Sequence, residues 1–208
     1  MTTGSPIKAE QRRGGDLRAE FSDLVRTRIR KAASELFAEC GYKGTTVRQI
    51  ARRAGSTHTT FYNYYKSKEA VLYAILGEIG PQVSERFQRI PDAARGEAEF
   101  RRWFADYNAF WLTHRGIYMA YWEAMFSDPA VAATTRRLMD RITAPLAGKL
   151  VREGSADAAT IAARLALWLH NIDSILMLAH TSETGNDAAA LDAAASILWP
   201  SLRDIARA

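Results

Sequence analysis

The stretch TRIRKAASELFAECGYKGTTVRQIARRAGSTHTTFYNYYKSKEAVL, residues 27–72, decides the fold. In and just before it, Val25, Ile29, Ala32, Ala33, Leu36, Phe37 and Cys40 recur every three or four positions. That is the stripe of an amphipathic helix. The spacing predicts a helix from Asp23, capped by Ser22 and ended by Gly41, with Cys40 a small buried hydrophobe. Thr45 and Thr46 then offer capping hydroxyls to a second helix whose apolar face is Val47, Ile50, Ala51 and Ala54, and Gly55 stops it. Thr57 can cap a third, with Phe61, Tyr64 and Tyr65 on one side and His58, Thr59, Tyr62 and Asn63 on the other.

A short helix, a turn pivoting on glycine and a second short helix match the helix-turn-helix, whose second helix enters a DNA major groove. The outward residues are small, polar or hydroxylated, which suits close approach to bases and phosphates. Helix N-termini at Thr46 and Thr57 would present N–H groups to phosphates. Taken alone, the same pattern also fits a plain helical core. Charge points the same way without deciding it. Residues 1–76 carry 14 Lys and Arg against 7 Asp and Glu, and the remainder carries 14 against 16. A basic first third suits a polyanionic partner, or simply a solvated charged face.

The letters go further than the spacing. The AAxxLF core, the GYxxTT turn, the IAxxAG second helix and the FYxYxxSKE ending follow one another without a gap over Thr27 to Leu72, and together they resemble the DNA-binding domain of the TetR family of transcriptional regulators. The resemblance implies an all-α chain: an N-terminal three-helix helix-turn-helix domain, then a C-terminal helical ligand-binding and dimerisation domain. It implies that Thr46 caps the second helix and meets a phosphate, that Thr57 caps the recognition helix, and that His58 reads a base. Tyr62 and Asn63 fall at contact positions, Lys68 at a position that meets the DNA backbone, and Arg48 is a further contact by charge and place. Thr59, also on the DNA-facing side, stands where the family commonly has glycine, and Ser56 where it has an apolar residue.

Outward from that motif, residues 1–22 have few apolar groups and a glycine pair, and read as a basic disordered arm. Residues 23–68 form the DNA-binding domain, and 69–208 the rest. A fourth helix starts near Ser67 and heads toward Phe87, with a bend expected at Pro81. Residues 100–126 hold 10 of the 21 aromatic side chains. Trp103, Tyr107, Phe110 and His114 share one helix face, and Tyr118, Tyr121, Trp122 and Met125 share the next. Such stripes serve as packed core or line an apolar pocket. The family resemblance implies a pocket here, and Trp111 and Trp168 join its candidate lining. Asn171 and Asp173, which interrupt a later apolar helix, make satisfied hydrogen bonds or are candidate polar groups to orient a ligand.

A further helix through Val131, Leu138, Ile142, Leu146 and Leu150, bent at Pro145, is expected to end near Gly154. The last two helices are expected at roughly 157–180 and 187–207, separated by Ser182 to Asn186. The first of them is apolar on nearly every side, which predicts burial against a partner as well as its own chain. The resemblance implies a homodimer through this pair. His170, Asp173 and His180 are too few and too loosely framed for zinc, so no metal is expected. No phosphate loop, nucleophile elbow or paired Cys/His motif points to an enzyme or to a cofactor. A lone cysteine fits a reducing cytoplasm, and no run of about 18 uncharged apolar residues suggests a membrane span. The expected partners are therefore double-stranded DNA with a palindromic operator, a small-molecule effector and a second copy of the chain. A DNA-binding protein of the same fold without an effector is the alternative.

Overall fold

The computed structural model describes residues 6–151, 156–180 and 187–207. The expected end of a helix near Gly154 and the break at Ser182 to Asn186 lie outside them. Among the described residues ten helices occur in order: α1 Pro6–Gly44, α2 Val47–Arg53, α3 His58–Tyr64, α4 Lys68–Gln88, α5 Ile90–Ala93, α6 Glu97–Thr113, α7 Arg115–Ser127, α8 Pro129–Leu150, α9 Ala158–Ala179 and α10 Asp187–Arg207. The chain divides into two compact units, Met1–Leu76 and Gly77–Ala208.

The first unit is built on the stripe that the sequence displays. Ile29, Ala33, Ile50, Phe61, Val71 and Leu72 are completely shielded from solvent, and Ala32, Leu36, Phe37 and Ala51 nearly so. Phe61 lies 6.1 Å from Tyr65, and Phe37 lies 5.6 Å from Tyr42, ring centre to ring centre. Glycine does the turning. Gly41 leaves helical geometry at φ 71°, and Gly55 sits at φ 65° after α2. An L side chain at either position would be strained by its Cβ.

Several expectations need correction here. Residues 6–22 are helical and continue α1, so they are not a disordered arm in this structure. The residues around the Gly14-Gly15 pair, such as Glu10, Gln11, Leu17 and Ala19, are good helix formers, and two glycines weaken the run without ending it. Ser22 consequently lies inside the helix and caps nothing. Cys40 is exposed, because Gly41 turns the chain away just where its place in the stripe would have met the core. The first unit reaches Leu76, beyond the expected boundary at residue 68, because the start of α4 contributes Val71, Leu72 and Ile75 to its apolar residues.

In the second unit α9 packs on α8 and α10, and α6 on α5 and α10. Pro81 and Pro145 lie inside α4 and α8, each of which continues as helix on both sides of its proline. The four-residue α5 has no counterpart in the sequence pattern. Ile161, Leu165, Trp168, Leu169, Ile172 and Leu176 form the inner face of α9. By length and composition this helix is apolar enough to cross a membrane, although Arg164 and Asp173 keep it from being an uncharged run. Its outer side carries Leu167 and Leu178, 70% and 68% exposed.

Candidate nucleic-acid interface and ligand site

Two threonines set the ends of the helix-turn-helix. The Thr46 hydroxyl accepts the Gln49 N–H at 3.2 Å, while the Gln49 side chain accepts the Thr46 N–H at 2.8 Å. This reciprocal box closes the start of α2. The Thr57 hydroxyl accepts the Thr60 N–H at 3.0 Å and starts α3. Those caps occupy amide groups that the sequence pattern would leave for phosphates. Phe61 then points inward, while His58, Thr59, Tyr62 and Asn63 are exposed on the opposite side of α3. The His58 and Tyr62 rings meet edge to face, 4.8 Å apart, so that pair forms one outward surface. Thr46 and Arg48 are exposed on α2 as well.

Lys68 departs from expectation. Its ammonium donates to the carbonyls of Tyr42 and Thr45 and lies 4.0 Å from the centre of the Tyr42 ring. The end of α1 leaves carbonyls without helical partners, and a lysine at the start of α4 satisfies them. Thr45 performs the same task from within: fully buried, it donates to the Gly41 carbonyl at 2.7 Å and the Leu36 carbonyl at 3.1 Å. The sequence pattern assigns neither role. The signal lies in the glycine ending itself, which obliges some nearby donor to close the helix. Arg53, by contrast, is turned back onto Glu39 through two contacts of 2.9 Å.

In the second unit Trp103, Tyr107, Phe110, Trp111, Tyr118, Tyr121, Trp122 and Trp168 are all buried, as a lining or a core requires. Met125 is half-buried, but Asn171 is exposed and faces away from the ring cluster. Trp103 stacks on Tyr107 at 5.6 Å with planes 2° apart, and on Trp168 at 5.6 Å. Trp111 stacks on Tyr118 and on His180. Several polar tips are tied off by hydrogen bonds. Trp103 donates to the Arg86 carbonyl, Trp168 to the Leu198 carbonyl, Tyr121 to Thr135, and His180 to Asn108. The buried indole N–H groups of Trp111 and Trp122 have no acceptor among the described residues, so this core retains capacity for a hydrogen-bonding partner. Among those residues no cluster of three metal-ligating side chains occurs. A surface groove of about 310 Å³ is lined by Arg89, Asp92, Ala93, Glu99, Arg102 and Trp103, and meets the aromatic cluster at Trp103.

Asp173 is the exceptional group. The Tyr107 hydroxyl donates to its carboxylate at 2.8 Å. Burial pushes the carboxyl from the ordinary 3.8 up to about 7, with the Tyr107 hydrogen bond acting in the opposite direction. Burial, then the Asp173 charge, push the Tyr107 and Tyr118 hydroxyls up, so both remain neutral donors. Burial and the Arg86 charge push His114 down. Between about pH 4 and pH 7 the folded chain holds a proton at Asp173 that the unfolded chain has released. Stability is therefore expected to fall as pH rises across that window and to level off above it. Urea midpoints measured from pH 4 to 8 should show this decline, and Asp173→Asn should remove that part of it.

Residues 29–75 match the family model described as bacterial regulatory proteins, tetR family. Over 74 residues the chain is 35% identical to the transcriptional repressor KstR2 of Mycolicibacterium smegmatis, a match spanning 36% of each chain. Over 162 residues it is 26% identical to the transcriptional regulator EthR of Mycobacterium tuberculosis, covering 76% of this chain and 75% of that one. The fold is similar to that of a Thermus thermophilus FadR, a TetR-family transcriptional repressor solved in complex with lauroyl-CoA, with TM-score 0.52, 23% identity and coverage of 83% and 92%.

Proposed function

We propose, on the premise that this chain belongs to the TetR family of bacterial regulatory proteins, that it is a dimeric repressor released from its operator by a small, largely apolar ligand. The family's members and the named relatives are transcriptional regulators rather than enzymes. The observation that carries the reading is the two-sided α3, with Phe61 fully buried and His58, Thr59, Tyr62 and Asn63 free to face DNA. A homodimer would set two copies of α3 in successive major grooves, about 34–36 Å apart, on a palindromic operator. The exposed Leu167 and Leu178 of α9 and Ile197 of α10 suit the dimer contact expected of the last two helices. Operator binding would place the protein in the cytoplasm with the chromosome.

The buried aromatic cluster around Asp173 supports the ligand half of the proposal, because it combines large apolar area with a few polar tips. The FadR neighbour was solved with lauroyl-CoA, so this fold accommodates a small molecule in at least one protein. Release then requires the ligand to bind one conformation more tightly than the one that fits the operator.

Selection of the purified protein against random DNA tests the first half. A palindromic consensus is expected, with affinity falling steeply as salt rises. Adding compounds to the resulting complex tests the second half. A compound that raises the melting temperature and releases the DNA is the expected result. A protein whose operator affinity no compound changes would be the ligandless regulator instead.

A further inference from the structure

The aromatic core of the second unit holds an acidic side chain without a basic partner. Asp173 sits on α9 beside the Tyr107 hydroxyl, and among the described residues no lysine, arginine or histidine pairs with it. The nearby cation is engaged elsewhere: Arg86 is 3.3 Å from the Asp106 carboxylate and 4.3 Å from the centre of the Phe110 ring. A buried, unpaired carboxylate is costly. An asparagine would accept the Tyr107 hydrogen bond without that cost, so the hydrogen bond alone gives no reason for an acid at this position.

Its surroundings specify the complement. Trp103, stacked between Tyr107 and Trp168, together with the Trp111–Tyr118 pair, gives an apolar and electron-rich setting. Tyr107 and Tyr118 offer neutral hydroxyls, which add no positive charge of their own. Rings of this kind favour a cation that carries apolar bulk, and a carboxylate among them supplies its counter-ion. An anionic ligand would instead meet the Asp173 carboxylate, and Arg86, the nearby cation, is already held by Asp106.

We infer that the effector is a lipophilic organic cation, an alkyl amine or quaternary ammonium compound, whose charged head pairs with Asp173 while its apolar body lies among the surrounding tryptophans and tyrosines. This rests on the proposed ligand-binding role and assigns the chemical class of that ligand.

The test uses three probes sharing one ten-carbon chain: decyltrimethylammonium, decanol and decanoate, each below its micellar concentration, added to the full-length protein. Calorimetric titration and melting temperature are the readouts. The wild type is expected to bind decyltrimethylammonium at least ten-fold more tightly than either other probe. Asp173→Asn, which retains an acceptor for Tyr107, is expected to weaken the cation about ten- to a hundred-fold and leave decanol unchanged. If decanoate or decanol binds as well as the cation, or Asp173→Asn leaves cation affinity intact, the class assignment is wrong and the ligand-binding role stands. If none of the three binds, the class assignment is wrong, and the ligand-binding role is decided separately by whether any compound releases the operator complex. The comparison of probes on the wild type decides the class of ligand even should the variant fold poorly.

Discussion

A chain carrying Tyr62→Ala is expected to bind its operator about ten- to a hundred-fold more weakly than the wild type while melting at nearly the same temperature. The affinity loss is the usual worth of one good base or phosphate contact, about 1–3 kcal/mol. The small change in stability follows from position. Tyr62 is 47% exposed, and its ring meets those of His58 and Phe61 edge to face. Surface substitutions of this kind usually stay within about 0.5 kcal/mol. Thr57→Ala makes a poorer test, because that hydroxyl starts α3 as well as facing outward, and losing a cap costs about 1 kcal/mol by itself. Thr57→Ser keeps the cap and serves as its control. Tyr62→Ala with undiminished operator affinity would remove α3 from the interface.

Phe61→Ala, one residue away, is expected to do the opposite: little direct effect on DNA contact, but a loss of about 3–5 kcal/mol in the stability of the first unit. Phe61 has no exposed surface, and it sits against Tyr65 and Tyr62. A loss of that size is a large share of the roughly 5–15 kcal/mol that an ordinary domain has in total. Urea unfolding followed by circular dichroism should show an early transition for Met1–Leu76, with the transition of Gly77–Ala208 little changed. Operator binding should disappear with the early transition. A single unshifted transition would mean that Phe61 is not the anchor of α3.

The contrast between these neighbours explains how much the sequence could tell. Phe61 and Tyr62 differ by one position and hence by about 100° around a helix, so periodicity alone assigns one to the inside and the other to the outside. The same logic places the caps at Thr46 and Thr57 and the turns at Gly41 and Gly55. It fails where a residue's job depends on partners distant in sequence. Lys68 reaches back 26 residues to the Tyr42 carbonyl, and nothing in the local pattern distinguishes that from a lysine awaiting a phosphate. Asn171 and Asp173 read alike as polar groups in an apolar helix, yet two positions separate an exposed side chain from one hydrogen-bonded to Tyr107 on α6. The scarcity of apolar groups in residues 6–22 speaks to burial, whereas their helical state follows from backbone preferences such as those of Glu10, Gln11, Leu17 and Ala19.

The separation of duties on α3 has a consequence for how such a protein changes over generations. Phe61 holds the helix in place and Thr57 starts it, whereas His58, Thr59, Tyr62 and Asn63 lie on the exposed side. Mutations at those four positions are nearly invisible to folding, so they can accumulate in a gene duplicate without first being purged for instability. On the proposed DNA-facing role of α3, a duplicated copy can therefore drift toward a new regulatory address while its scaffold stays under the old constraint, by exchanging a handful of letters on one face of one seven-residue helix.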